Sequence, residues 1–581
     1  MKRLTLILAA LALTLGLSQC KKTETPTTND GVFITLTAGY GNGAKTGFTP
    51  ATGAFVWTNG QTEYIYVGGS QHAACLGALS GTGNGTGSMT FSGTLTTTPN
   101  EGETLHFFYL GKGRNGSAVS TLDFSTQDGS IENVTNYHIA IGDGSYSSST
   151  VNYATTLNMA MAIAYFDVNG FKNASETAET VYLHGEEVYS TAIIDYTNGT
   201  ITGETKGYIN LGTANNGKYV ALIPSVSTET TLKFDSNSKW GALKFMRGIQ
   251  AGRYYSNSGA ALTVTAGALL EGTIPGLFSV SATKMVRFSK GNLQYNNGTW
   301  NFHENQYDRC FTADGDVSSN YTSEGTFDLF GWGTSGYNHG ATNYQPWNTG
   351  FNNNSLYYAY GEQTYNLYDQ SGQADWGYNA ISNSGNTENS GWRTPTNAEW
   401  GYVFNTRTNF AAKWGHGNVN GVNGMILLPD EWTLPGGLTF TSGNSSWANV
   451  YNSGQWAQME ANGALFLPAA GFCEFSLMNA GSAGNYWSSS YNSSNAHNVY
   501  FSSNYLNPQN SASRYYGRSV RLVHNAGLIV NTDIVNDVTA GGSIFSGWTN
   551  GGGDPWNDPT PGSGGSTLGG WNNDGNDPWG N

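Results

Sequence analysis

The sequence predicts a mainly β protein, with antiparallel β-sandwich architecture first and an α+β domain after it. Three observations carry that expectation. The chain holds 79 glycines, 34 tyrosines and 17 tryptophans but only 11% charged residues, a balance suited to strands built from Thr and aromatics and turned by Gly and Asn. Short β-rich runs recur between Gly clusters, among them TEYIYV at Thr62–Val67 and TLHFFYL at Thr104–Leu110. The strongest helix-start signature lies far downstream, in TPTNAEWGYVFN.

At the N-terminus, Lys2 and Arg3 precede a run from Leu4 to Leu17 broken only by small or weakly polar residues. A spanning helix needs about 20 apolar residues, so this run reads as a signal peptide over residues 1–19. Leu17-Ser18-Gln19-Cys20 resembles the lipobox of bacterial lipoproteins, although Gln19 departs from the usual small residue. The resemblance implies lipidation at Cys20, with a diacylglycerol thioether and an acylated amine, and two or more chains make a stable anchor. Residues 20–31 contain TETPTTND, too polar to offset chain entropy by burial, and read as a flexible tether.

Net charge excludes one class of partner. Removing the two signal-peptide cations from 25 basic groups leaves 23 against 40 acidic ones, about −17. Phosphate binding needs clustered Lys and Arg, so no nucleic-acid partner is expected. Besides Cys20, only Cys75, Cys310 and Cys473 remain. Their wide spacing offers neither a disulfide framework nor a zinc pattern, and free buried thiols are expected.

Residues 32–270 are read as a region of hairpins. IIDYTNGTITG places Asn198-Gly199 between short β runs, and GYINLGTANNGKYVALIP places Asn216-Gly217 likewise. Asn-Gly tolerates the positive φ of a type I′ turn, which predicts a hairpin at each. One β-sandwich, or two in tandem, suits such a region. GFTPATGAFVWTNGQTEYIYVGG, SMTFSGTL, LDFSTQDGS and GIQAGRYYS together resemble the fimbrillin family of surface lipoproteins. That resemblance implies transthyretin-like sandwiches and assembly by strand donation between subunits. Some members mature by cleavage after an Arg behind the first strand. This chain has no Arg between Arg3 and Arg114, which favours an anchoring, tip or stand-alone role.

Beyond Pro275 the pattern changes. LQYNNGTWNF predicts a hairpin in which Leu293 and Tyr295 meet Trp300 and Phe302 across an Asn-Gly turn. Trp-rich loops follow, DLFGWGTSGYN and ATNYQPWN. Thr396 and Glu399 then form a capping box that predicts a helix from Asn397 to Asn405. Alternation predicts strands carrying Val499 with Phe501 and Val520 with Leu522. WRTPTNAEW, GNYWSSS and GRSVRLV, in that order, resemble the major paralogous domain family, FISUMP, and more distantly the C-type-lectin-like fold shared with formylglycine-generating enzymes. The match spans residues 278–524 and implies a binding scaffold. Neither the calcium loop of sugar-binding lectins nor the cysteine context of those enzymes is present. Residues 525–581 form a Gly-, Asn- and Trp-rich low-complexity tail in which GWTNGGGDPWN and GWNNDGNDPWG repeat.

Catalytic chemistry is not expected. GYGNGAKTG lacks the second Gly of a phosphate loop, and no HExxH or GxSxG occurs. Glu186-Glu187 is expected at the surface, and Asp314, Asp316, Ser318 and Asn320 mimic a calcium loop without its turn Gly. No catalytic, cofactor or metal residues are assigned. The chain is expected to be a lipid-anchored outer-membrane protein at the cell surface, for adhesion or recognition of glycans or partner proteins. The alternatives are a structural, tip or anchor component of a fimbria and, third, an envelope polysaccharide hydrolase.

Overall fold

The computed structural model describes residues 31–40, 57–215, 217–257, 259–350, 352–527, 535–538 and 543–544. Strands dominate it, and three successive units follow one another along the chain.

The first unit is a closed barrel. Strands Val32–Tyr40, Ser88–Leu95, His72–Thr82, Thr62–Gly69, Thr104–Leu110, Ile139–Ser145 and Asn152–Met159 follow one another around it. Closure comes from a parallel pairing of the first and last strands, from Thr35 opposite Asn152 to Tyr40 opposite Leu157. Alternation decides which side chains fill it: Ile34, Leu36 and Ala38 point inward while Phe33 stays exposed. Trp57 sits against Phe91 and Tyr109, with ring centroids 5.2 and 4.9 Å away. The expected sandwich is therefore corrected here to a barrel, because pairing the two terminal strands removes the open edges that a sandwich would leave.

The second unit stacks two sheets. One contains Ile209–Thr213, Thr180–Gly185, Thr230–Asp235, Lys239–Phe245 and Gly267–Ala268 in that order, the other Lys218–Leu222, Ala162–Asp167 and Arg253–Tyr255. Phe166 meets Phe234 across the gap at 5.0 Å between centroids. The hairpin expected at Asn216-Gly217 does not form: Ile209–Thr213 pairs with Thr180–Gly185, and Lys218–Leu222 pairs with Ala162–Asp167. Lys218–Leu222 is buried on both faces, with Tyr219 and Ala221 in the apolar cluster shared with the barrel and Val220 and Leu222 between the two sheets. Burial on two sides outweighs the local turn preference. By contrast Tyr189–Asp195 and Thr200–Lys206 do pair, through a four-residue loop in which Gly199 alone has positive φ.

Two short strands from beyond Asn525 rejoin this unit. Val535–Val538 runs parallel to Ala242–Phe245, and Ser543–Ile544 runs antiparallel to Arg253–Tyr254. The segment read as low-complexity tail thus supplies a strand to each of the two sheets; the Trp-containing repeats lie outside the described residues.

The third unit is α+β. Its sheets include Phe278–Ser281, Lys284–Phe288, Val523–Asn525 and Trp392–Arg393 in one, and the meander Ala483–Asn492, Asn495–Ser502, Tyr505–Ala512 in another. Leu293 opposes Phe302 and Tyr295 opposes Trp300, across Asn297 and Gly298 at φ of 46° and 83°, the two positive values of a type I′ turn. A helix spans Asn397–Asn405, with the Thr396 side chain accepting from the Glu399 amide and Glu399 accepting from the Thr396 amide. Removing this cap with Thr396→Ala should cost about 1 kcal/mol, readable as a lower denaturation midpoint. A second capped helix, Ser453–Ala461, uses Asn452 and Gln455 in the same way. The strand expected around Val520 and Leu522 is instead extended chain with isolated bridges at Gly517, Arg518 and Ser519, although both apolar residues are fully buried.

The second and third units share a buried contact. Tyr182, Leu277, Met285 and Ala526 form an apolar cluster between them, and Arg287 reaches across to Asp235 at 2.9 Å.

Candidate functional site

Cys20 and most of GYGNGAKTG lie outside the described residues. Among the described residues no helix is long and apolar enough to cross a membrane. Glu186 is exposed, but Glu187 is buried, which corrects the expectation of a surface pair. Its carboxylate accepts from the Ser227 amide and hydroxyl at 3.0 and 2.6 Å and from the Thr230 hydroxyl at 2.9 Å. It therefore ties down the loop before Thr230–Asp235. The calcium-like stretch is likewise engaged in its own fold: Asp314 accepts from the Ala480 amide and Asp316 from the Ser318 amide.

Trp332 of the first Trp-rich loop is core, and Trp347 of the second is half-buried against the same cluster. Trp300, Trp332, Trp376, Trp392 and Trp487 are all buried in one cluster. The indole N–H of Trp332 donates to Ser488 O and that of Trp487 to Phe330 O, at 2.8 and 2.7 Å. They hold up long loops that have little regular structure of their own.

Among the described residues Phe33, Tyr368, Phe475 and Tyr505 are the exposed aromatics, and Phe475 has further rings beside it. Strands Phe472–Glu474 and Ser476–Met478 pair with Glu474 opposite Ser476, which makes Phe475 the connecting residue at the tip. Phe475 is 47% exposed and has φ of 60°, a left-handed conformation that costs a bulky residue of order 1–2 kcal/mol. Two neighbours fix it. Val317 donates its amide to Phe475 O at 3.2 Å, and Gly350 lies so close that a Cβ there would sit 3.0 Å from the Phe475 ring.

Gly350 also donates its amide to Tyr515 O at 2.8 Å, which brings a second aromatic loop to the same place. Tyr515 and Tyr516 have centroids 4.8 Å apart, and Phe472 meets Tyr516 edge-on at 5.4 Å. All three are half-buried. Beneath them Arg518 is buried, its guanidinium carbon 5.6 Å from the Phe472 centroid, 5.7 Å from Tyr516 and 5.2 Å from Trp487. It also donates to Asn485 Oδ1. Burial, the Tyr515 hydroxyl and Glu474 push the Tyr516 phenol up, so it stays neutral at physiological pH. The result is a strained aromatic face with Glu474 at its edge. Rings of this kind stack on the apolar faces of sugars or on partner side chains. Neither Phe475 nor Gly350 stands out in the sequence, since the left-handed tip arises only when the two strands pair.

The remaining cysteines are free thiols. Cys473 is buried beneath the aromatic face, Cys75 is half-buried in the barrel, and Cys310 lies beside His303 and Asp328. Burial and the Asp328 charge push the Cys310 thiol well above its ordinary range, which disfavours it as a nucleophile.

No protein-family profile and no curated relative matches the chain. Similar solved structures include a proposed cell adhesion protein from Bacteroides ovatus, 13% identical, covering 41% of this chain and 96% of its own, at a TM-score of 0.27. A second proposed cell adhesion protein, from Bacteroides uniformis, is 14% identical, covering 42% and 98%, at 0.26. The tip fimbrial protein Mfa3 from Porphyromonas gingivalis is 9% identical, covering 41% and 100%, at 0.23. These structural neighbours are fimbrial and cell-adhesion proteins. At such TM-scores the likeness carries no weight in assigning a function to this chain.

Proposed function

We propose that the chain is a fimbria-associated lipoprotein of the Gram-negative cell surface that acts in adhesion or recognition, and is not an enzyme. Lipidation at Cys20 would hold it on the outer membrane. Residues 32–270 would be of fimbrillin, transthyretin-like descent, on the segments quoted above, and residues 278–524 a FISUMP or C-type-lectin-like domain. The observation that carries the recognition role is Phe475, an exposed aromatic side chain held in a costly backbone conformation. Strain retained at an exposed position points to use of that position. The ligand class that suits it is a glycan or an apolar protein surface, met by Phe472, Phe475, Tyr515 and Tyr516.

Two measurements test this. Protease applied to intact cells should digest the C-terminal half; protection until lysis would exclude a surface role. Phe475→Gly should abolish binding on a glycan array or to host-cell extracts while leaving thermal stability nearly unchanged, because removing the left-handed strain offsets the lost contacts. Unchanged binding, or a large loss of stability, would make Phe475 a structural residue only.

A structural fimbrial role is the second reading, favoured by the strands that Val535–Val538 and Ser543–Ile544 add to the two sheets of the second unit. Edge strands supplied from a chain terminus suit exchange between subunits. Heat-resistant oligomers that disappear on deleting residues 528–581 would support it, and a strictly monomeric protein would not.

A further inference from the structure

We propose that His303, Cys310 and Asp328 form a three-ligand site for a divalent cation of the zinc class. A three-stranded sheet sets two of the ligands. Leu293–Asn296 pairs on one side with Thr299–Phe302 and on the other with Thr326–Phe327, and His303 and Asp328 are the residues that immediately follow those two outer strands. The loop after His303 then brings Cys310 back over the central strand, where Gln294 Nε2 donates to its sulfur at 3.1 Å.

Ligand-type atoms of all three residues lie within 4.8 Å of one another. His303 Nε2 is 2.9 Å from Asp328 Oδ2 and 3.9 Å from Cys310 Sγ. A tetrahedral zinc with Zn–S of about 2.3 Å and Zn–N of about 2.05 Å places sulfur and nitrogen about 3.6 Å apart, so little movement would seat the ion.

The use of one ring nitrogen separates this arrangement from a nucleophile relay. In a Cys-His-Asp relay the imidazole bridges, with the carboxylate on one nitrogen and the nucleophile on the other. Here carboxylate and thiol both face Nε2, so the three groups converge on a point and do not form a chain.

The carboxylate supplies an independent observation. Asp328 is 1% exposed; its Oδ2 accepts from His303 and from the Cys310 amide, at 2.9 Å each, while its Oδ1 is buried without a hydrogen-bond partner. A desolvated carboxylate oxygen left unsatisfied is costly, and a cation would satisfy it. Arg309 is the neighbouring positive charge, but its Nε donates to Phe311 O and its Nη1 is itself unpartnered.

Donor type selects the metal class. Calcium and magnesium take oxygen ligands, and a mixed sulfur, nitrogen and oxygen set suits zinc and its neighbours. Three protein ligands leave a fourth position for water or a partner's group. Gln294 fits an outer-shell role, its amide N–H on the sulfur and its Oε1 fixed by Asn301 Nδ2 at 2.9 Å.

The test is zinc and cobalt(II) titration of the purified full chain. A single equivalent of zinc should bind, cobalt(II) should give a sulfur-to-metal charge-transfer band, and both Cys310→Ser and Asp328→Asn should weaken binding by roughly tenfold or more. Cys75→Ser should change nothing. Zinc binding that is unaltered in Cys310→Ser, or cobalt binding without the sulfur band, would overturn the assignment. A measurement on the unmutated chain guards against misfolded variants: zinc should slow alkylation of Cys310, followed by mass spectrometry, and a chelator should restore it. Alkylation indifferent to zinc would equally sink the proposal.

Discussion

Arg287→Ala should destabilise the junction between the second and third units by about 3–5 kcal/mol, the cost of leaving a buried charge without its partner. The Arg287 side chain reaches Asp235 Oδ1 at 2.9 Å and also bonds the carbonyls of Ser236 and Asn237. His184 Nε2 holds the other oxygen of Asp235 at 2.8 Å. Both members of the Arg287–Asp235 pair are buried. Calorimetry should show a lower and more divided unfolding transition in Arg287→Ala, and the joint replacement Arg287→Met with Asp235→Leu should recover much of the loss. A single mutant with wild-type unfolding would mean that water reaches the pair.

The same carboxylate gives a pH signature. Burial pushes Asp235 up, but the His184 hydrogen bond and the Arg287 charge more than compensate and hold it below the ordinary carboxylate range. A depressed folded-state value contributes stability that is complete above the unfolded value, about 3.9, and is lost as pH falls through the lower folded value. Acid titration of the wild type should therefore show a loss beginning below about pH 4 that Asp235→Asn lacks.

Local signals were legible where local physics decides the outcome. The Asn297-Gly298 turn and the capped helix at Asn397–Asn405 need only a few neighbouring residues. The helix Ser453–Ala461 was equally local, since Asn452 and Gln455 carry the capping-box spacing, yet the Ser-Gly that follows the cap weakens its helical propensity. Asn216-Gly217 misled because Lys218–Leu222 faces two cores, a fact about packing between units that no turn dipeptide encodes. The parallel closure of the barrel and the return of Val535–Val538 depend on partners more than 100 and nearly 300 residues away. The candidate site was hidden for a related reason. Aromatic richness marks where rings are, and burial then put Trp332, Trp376 and Trp487 in the core and left Phe475 among the exposed rings.

That sorting sets the second large effect. Trp332→Ala should cost about 3–5 kcal/mol, because the ring is fully buried and does three things there. It fills the centre of the cluster with Phe330, Trp376 and Trp487, and it satisfies the Ser488 carbonyl. It also lies 4.4 Å from the guanidinium carbon of Arg514, which sits 4.6 Å from the Tyr358 ring centroid as well. Arg514 is buried, and its side chain donates to the carbonyls of Asn495, Gln363 and Ser493. Burial pushes its pKa down to about 10, so it stays charged at neutral pH and depends on the rings for part of its compensation, about 2 kcal/mol for a desolvated cation–π contact. Trp332→Phe keeps a ring under that cation and should lose less, chiefly the hydrogen bond at about 1 kcal/mol. Thermal unfolding of the two variants, set beside ligand binding of Phe475→Gly, separates scaffold from surface. If Trp332→Ala instead kept its stability and lost only binding, the Trp loops would be the recognition surface and the tip at Phe475 would not.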